Sequence, residues 1–514
     1  MSNLIVPASL FVSFLLCTYI FFSLDMFLYA FFTLVALFLA KVLLFPKRIA
    51  KKKAHRQPST HYSAYSPPGE YFACEPDGEL DLPKSAEGIA SVERSTVFEL
   101  FEKAVASHGD EPALRTETDD GQGWNVWTWK QHYDNSILAG RALLHLGVEP
   151  FDSVNIIGFN SPEWFWANLG AIACGGKAAG IYSTNGPEAI KYIVNHSHSK
   201  VVAVQNRAQL AKFESIRDEI PAVRALVMWE GTTNADDEAK FGRPVYDWKS
   251  FLALSKNVPE ERVHDRLKAQ RPGHCCTLIY TSGTTGDPKA VMISHDNLTW
   301  TSKLVLELVP GIGEHEEHWV SYLPLSHVAA QMLDIHGPIA ATAFTKKPVC
   351  VSFALPTALR GTLGETLRKV RPTVFFGVPR VWEKIQEKMM EVGAQTTGLK
   401  KKIATFAKAQ GAAYFAAEQV GSKTSHEPPF FFLANVLLKA IRARLGLDRC
   451  RFCFSGAAPI TRQTLEYFGS LGIHIYQVYG MSECTGPCAL GVPGQSTVGS
   501  AGPPCPGVDV KIDH

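Results

Sequence analysis

Cysteine is scarce in this chain, eleven in 514 residues, which is too dilute for a disulfide scaffold. An excess of either charge is missing as well. Lys and Arg number 51 against 49 Asp and Glu, a net charge of +2, so a global electrostatic pull toward nucleic acid is excluded. Short-period repeats are absent, which argues against a solenoid. What remains has globular proportions: 46% apolar and 19% charged residues, enough length to bury a large core in several domains or subdomains.

One stretch departs from this average. From Leu4 to Phe45 the only charges are Asp25 and Lys41. Leu4–Leu24 is long enough to cross a hydrocarbon core, which takes roughly 20 helical residues. Either one tilted helix keeps Asp25 near an interface, or a helical hairpin turns there. A cleaved signal peptide fits poorly, because no basic segment precedes the run and no small-residue cleavage site follows it. Lys47, Arg48, Lys51, Lys52, Lys53 and Arg56 come next, and cations beside a membrane segment favour the cytosolic side. The expected organisation is a membrane anchor over 1–46, a basic flank and irregular linker over 47–94, and a folded body over 95–514.

Within the body, Val97, Phe98, Leu100, Phe101 and Val105 recur at helical spacing after Ser95-Thr96. Helical runs then alternate with short β-branched runs, such as Val154–Gly158, Val201–Val204 and Ala225–Met228. This alternation predicts an α/β fold of parallel sheets covered by helices. Glu383 to about Val420 reads as one long helix, His426–Pro429 as a break, and Phe430–Leu445 as a further helix stopped by Gly446. Val508–Ile512 reads as a strand. The chain ends straight after it at His514, which reads as a cut in mid-domain.

Four segments carry chemistry. The strongest is Thr281-Ser282-Gly283-Thr284-Thr285-Gly286-Asp287-Pro288-Lys289, between strand-like Leu278–Tyr280 and Ala290–Ser294. Glycines admit close approach of backbone to an anion, hydroxyls add donors and Lys289 adds a point charge, which suits a phosphate cradle. The spacing is not that of a P-loop, and the loop joins two strands rather than capping a helix. The second is Tyr479-Gly480-Met481-Ser482-Glu483, a strand end turning into a loop. There Gly480 permits an unusual backbone angle, Tyr479 offers a flat face to a purine, and Glu483 is a hard oxygen ligand for Mg²⁺. The third, Ser455-Gly456-Ala457-Ala458-Pro459, leaves room for a ligand beyond a strand's carboxyl end, although a tight strand-to-helix turn explains it equally well. The fourth is Tyr322–His327, whose histidine by itself reads as a packed residue more readily than a catalyst. Cys450-Arg451-Phe452-Cys453 has metal-site spacing but no partner pair, so buried thiols are the expectation.

Together and in this order, the four segments resemble the adenylate-forming superfamily over roughly residues 95–514. The wording of Thr281–Lys289, Ser294–Asn297 and Leu323–Gln331 is most similar to long- and very-long-chain fatty acyl-CoA synthetases of the bubblegum type. The resemblance implies an adenylate-forming N-terminal domain of two helix-covered, mostly parallel sheets plus a truncated β-rich subdomain, with the small C-terminal domain absent. It implies ATP, Mg²⁺ and coenzyme A as co-substrates, a long-chain fatty acid as substrate, and an acyl-adenylate intermediate. It also implies roles: Thr281, Ser282, Gly283, Thr284, Thr285, Gly286 and Lys289 on the phosphates, and Gly456, Ala457, Ala458, Pro459, Tyr479, Gly480, Met481 and Ser482 around AMP. Glu483 would hold Mg²⁺, and His327 would sit near the carboxylate.

Three departures bear on these roles. Ala290 stands where the family usually has glycine, Gln331 where some relatives have a gating tryptophan, and the family's later hinge and catalytic lysine lie beyond His514. A chain that ends there is expected to turn over poorly. Two other functions compete: a catalytically inactive membrane-bound nucleotide-binding scaffold, and an enzyme limited to the adenylation half. The membrane expectation places the body on the cytosolic face, with the endoplasmic reticulum ahead of the peroxisome and lipid droplet.

Overall fold

The computed structural model describes residues 89–281, 287–420 and 426–511, together with 77–79, 82 and 422. The apolar segment within residues 1–46 and most of the linker lie outside the described residues. Among the described residues no helix is long and apolar enough to cross a membrane.

The body begins where the periodicity places it. Thr96 accepts from the Glu99 amide at 3.3 Å while the Glu99 carboxylate takes the Thr96 N–H. This reciprocal capping starts the helix Val97–His108. Its Val97, Phe98, Leu100 and Phe101 are buried. The main sheet has seven strands, in the order Val245–Asp247, Ala225–Met228, Ser199–Val204, Ser153–Ile157, Lys177–Ile181, Cys275–Thr281 and Lys289–Ser294. All neighbours are parallel except the last pair. Ser153–Ile157 and Lys177–Ile181 are buried along their whole length, as befits parallel strands covered on both faces. One cover is the helix Pro162–Ala173, started by Ser161 and Pro162.

Two four-stranded sheets complete the body, where the sequence predicted two sheets in all and a further β-rich part. One runs Glu317–Ser321, Val349–Phe353, Pro112–Glu117, Trp124–Thr128. The other runs Val374–Phe376, Phe452–Ser455, Ile475–Met481, Gly486–Leu490. Each is parallel apart from one antiparallel edge strand. The α/β expectation with mostly parallel sheets therefore holds, in three sheets.

The predicted helix over 383–420 is two helices, Pro379–Ala394 and Gly398–Glu418. Gly398 takes φ +60, and this left-handed backbone breaks the run where a periodicity reading passes straight through. Phe431–Leu445 ends at left-handed Gly446 as expected. Val508–Lys511 forms no strand, while Ile512, Asp513 and His514 lie outside the described residues.

Alternation across the third sheet gives it two distinct faces. Phe375, Cys453 and Ile475 pack with Trp382, Leu438 and Phe468 in a helical layer. Phe376, Phe454 and Val478 point the other way, into a cavity.

Candidate active site

Strand pairing sets up the first element of the site. Thr281 pairs with Lys289 across an antiparallel ladder, so the Thr281–Lys289 segment is a hairpin between two strands, as its flanks predicted. Ser282, Gly283, Thr284, Thr285 and Gly286 at its tip lie outside the described residues. Ala290 pairs with Tyr280 inside the ladder and has no positive φ, so alanine in place of glycine costs the backbone nothing there. The second strand of the hairpin packs against the turn Ser482–Cys484, which brings Lys289 and Glu483 onto neighbouring elements.

Tyr479, Gly480 and Met481 belong to the strand Ile475–Met481 rather than to a loop, and the turn starts only at Ser482. Gly480 does not owe its place to an unusual backbone angle, because its φ is not positive. A Cβ there would lie 1.8 Å from the Gly486 carbonyl oxygen. It is the close approach of the edge strand, beside a register shift between Tyr479 and Gly480, that demands glycine. Ala457, by contrast, is held at φ +67, a conformation that costs an L-residue about 1–2 kcal/mol. Backbone strain of this kind clusters at functional sites. Tyr479 is 55% exposed, Ser482 is buried, and Glu483 is exposed.

His327 caps the short helix Val328–Gln331, its Nδ1 accepting the Ala329 N–H at 3.1 Å. An Nδ1 that accepts leaves the proton on Nε2. Burial lowers the imidazole pKa, so the ring is neutral and its Nε2–H is available as a donor. The segment carrying it lies against the strand Lys177–Ile181, where a Cβ on Gly180 would come within 2.8 Å of Ser326 Cα. Gln331 is fully buried, bonded to the Leu325 carbonyl at 2.8 Å and reached by Thr277 at 3.4 Å. These bonds tie it into the core of the segment.

A network that sequence reasoning missed supports this segment. Asn160 donates at 2.8 Å to both Ser321 Oγ and the Leu323 carbonyl, and Ser321 bonds Asp334 at 2.6 Å. Asp334 lies on a π-helical turn, Met332–His336. Pro338, which has no N–H for the Asp334 carbonyl, follows that turn. Burial raises the Asp334 carboxyl to about 8. A carboxyl raised in the fold contributes stability that is fully present below its unfolded value near 3.9 and is lost as pH rises through about 8. Asp334→Asn should therefore remove a component of destabilisation between pH 4 and 8, read as a flatter urea midpoint against pH than the parent shows. An identical pH slope in both proteins would exclude the effect. The network's only sequence signal was a lone acid in an apolar run, which periodicity does not distinguish from a helix surface.

The elements converge on an apolar cavity of about 130 Å³. His327, Gly456, Ala457, Gly480 and Met481 line it together with Val305, Trp319 and Met332. Five sequence-predicted residues from three separate motifs thus line one cavity. Thr281, Lys289, Ala458, Pro459, Tyr479, Ser482 and Glu483 lie outside the lining. Among the described residues no group of three His, Cys, Asp or Glu is placed to hold a metal. Glu483 offers one exposed hard oxygen donor, which suits Mg²⁺ held jointly by a carboxylate and substrate phosphates. The Cys450 and Cys453 sulfurs sit 3.4 Å apart as free thiols.

Residues 101–514 match the model of the AMP-binding enzyme family. The chain belongs to that family. Among curated relatives it is 42% identical to the long-chain-fatty-acid–CoA ligase ACSBG2 of Xenopus laevis over 85% of this chain and 57% of that protein. It is 44% identical to ACSBG2 of Gallus gallus over 84% of this chain and 55% of that protein, and 38% identical to ACSBG1 of Rattus norvegicus over 81% and 56%. The chain therefore spans somewhat more than half the length of the curated relatives it matches. Among solved structures, an anthranilate CoA ligase in complex with anthranoyl-AMP shares the fold at TM-score 0.59 and 19% identity, over 82% of this chain and 66% of that one. A benzoate CoA ligase from Burkholderia xenovorans does so at TM-score 0.55 and 18% identity, over 80% and 66%. The adenylate-forming fold expected from the four motifs is thus the fold observed.

Proposed function

We propose that this AMP-binding protein activates long-chain fatty acids, joining the carboxylate to AMP with release of pyrophosphate and then passing the acyl group to coenzyme A. One observation carries the reading: an apolar cavity without charged lining runs up to a neutral imidazole donor and to the strained Gly456–Ala457 turn. Apolar walls suit an alkyl chain, at about 0.8 kcal/mol per buried CH₂. The His327 Nε2–H, in the lining, suits the carboxylate oxygen.

The residue roles follow in this reading. Thr281 to Lys289 hold the β- and γ-phosphates, and Gly456, Ala457, Ala458, Pro459, Tyr479, Gly480, Met481 and Ser482 surround AMP. Glu483 holds Mg²⁺, which when bound neutralises phosphate charge. A carboxylate attacking the α-phosphorus brings two anions together, so alignment and charge neutralisation are what the site must supply. Residues 1–46 serve as membrane anchor, 47–94 as linker and 95–514 as adenylation domain, with the endoplasmic reticulum as location. A bilayer-bound enzyme meets its acyl substrate where that substrate partitions.

The test incubates the chain with ATP, Mg²⁺, oleate and coenzyme A, and measures oleoyl-AMP and oleoyl-CoA separately. Oleoyl-AMP formation supports the reading. Neither product, from a chain shown to be folded, would favour a non-catalytic nucleotide-binding module. The cavity makes a sharper prediction. Val305→Trp projects an indole into it, so KM for oleate should rise at least about tenfold while octanoate is still accepted, by the loss of a few buried methylenes' worth of binding. An unchanged ratio of oleate to octanoate would move the acyl chain elsewhere.

A further inference from the structure

On the far face of the third sheet from the cavity, the packed helices Gly398–Glu418 and Phe431–Leu445 turn an apolar strip toward solvent. Leu399, Ile403 and Phe406 follow one another at i, i+4 and i+7, so they share one face. Leu433, Val436 and Leu437, at i, i+3 and i+4, likewise share one face of the second helix. All six are at least 42% exposed, Leu399 reaching 72% and Val436 62%. Phe406 and Phe430, with ring centroids 6.3 Å apart, join the two strips. Contiguous exposed apolar surface of this kind marks an interaction site.

The charge around it says which partner it fits. The first helix carries Lys400, Lys401, Lys402 and Lys408 against one carboxylate, Glu418, which is engaged by His474 at 2.5 Å. The second carries Lys439, Arg442 and Arg444 and no acid. Lys408 lies over the Tyr467 ring and Arg442 holds the Leu471 carbonyl, so both of these are turned inward. Lys400, Lys401, Lys402, Lys439 and Arg444 are exposed. Lys402 falls three residues after Leu399 and four before Phe406, and Arg444 seven after Leu437, which puts these cations on the apolar faces themselves. In a chain whose net charge is only +2, this pair of helices is a strongly basic island. On these two helices the exposed apolar side chains sit amid cations, and their one carboxylate, Glu418, is engaged; such a surface suits anionic lipid headgroups, with its side chains inserted at the acyl boundary. A protein partner would have to be both acidic and apolar at this spacing, and a second copy of the same face would be repelled.

We propose that the face formed by Leu399, Ile403, Phe406, Leu433, Val436 and Leu437 docks on an anionic membrane surface, held there by Lys400, Lys402 and Arg444. This contact is separate from the proposed anchor within residues 1–46 and independent of the chemistry assigned to the cavity. It fixes how the body lies on the bilayer, with the third sheet's helical layer downward.

The test uses the full chain bound to vesicles of phosphatidylcholine, with or without phosphatidylserine. Benzoylphenylalanine replaces Val436 in one protein, and in a control protein it replaces Val126, which is 46% exposed on the strand Trp124–Thr128 of another sheet. After illumination, phospholipid adducts at position 436 should exceed those at 126 by about tenfold or more in vesicles containing phosphatidylserine. They should fall at least tenfold in phosphatidylcholine alone, and likewise in the triple variant Lys400→Glu, Lys402→Glu, Arg444→Glu, given about fivefold in partitioning per surface cation. The triple variant should keep its melting temperature, since all three side chains are exposed. Equal adducts at 436 and 126, adducts that ignore phosphatidylserine, or adducts at 436 to residues 1–76 or to a second chain would each overturn the proposal.

Discussion

His327→Ala should slow acyl-adenylate formation by about 10²–10³, the usual cost of removing one preorganised donor to a developing negative oxygen. ATP–pyrophosphate exchange with saturating oleate is the measurement. The variant leaves the fold intact at little risk, because the imidazole caps only the short helix Val328–Gln331. Gln at this position offers an N–H from a similar distance and should recover part of the loss, which a purely structural role would not require. The pH profile adds a second readout. Burial lowers the His327 pKa and the Ala329 N–H occupies Nδ1, so the parent should show no activity inflection at the ordinary imidazole value near 6.5. Activity lost through this group should appear only at lower pH, as protonation of Nδ1 breaks the cap. Exchange within about twofold of the parent in His327→Ala would remove the residue from the machinery.

Glu483→Ala should have an effect as large or larger, a fall of at least about 10³ in pyrophosphate exchange. That corresponds to the several kcal/mol a divalent ion contributes to phosphoryl charge stabilisation. The carboxylate is exposed on the turn Ser482–Cys484, so its loss should leave the melting temperature within a degree or two of the parent. Stability and activity are thereby separated. Glu483→Asp keeps a hard oxygen on a shorter arm and should need more Mg²⁺ to reach half-maximal rate. Near-normal exchange in Glu483→Ala, with an unchanged Mg²⁺ requirement, would refute the metal role.

The two variants probe separate parts of the proposed site. Glu483 stands on the turn packed against the strand Lys289–Ser294, and His327 lines the cavity. Gly480, pressed against the Gly486 carbonyl, and Ala457 in its left-handed conformation line the same cavity as His327. In the proposed reading, a strained backbone of this kind would serve in-line attack at phosphorus, because effective alignment is lost with small displacements.

What was legible in the sequence was local. Thr96 and Glu99 cap a helix three residues apart, Gly446 ends another, and the strands either side of Thr281–Lys289 pair as a hairpin because the chain between them is short. Periodicity failed where one residue's backbone outweighed the pattern, as at Gly398, and where a single strand ran on through Tyr479–Met481. The motifs pointed to the family because their residue types and order leave few alternatives, and the family match over residues 101–514 bears that out.

The tertiary structure decided what depends on residues far apart in the chain. The cavity draws Val305, His327, Met332, Ala457 and Gly480 from segments far apart in the chain, and no local pattern encodes their meeting. The Asn160–Ser321–Asp334 network likewise spans more than 170 positions. Gly480 was singled out in sequence for its backbone freedom, yet its reason is an edge strand that only folding brings to it. The apolar strip on the two late helices could be told from a core-facing one only once the sheet had shown which side it covers. Sequence spacing assigns residues to a face, and packing alone determines whether that face is buried.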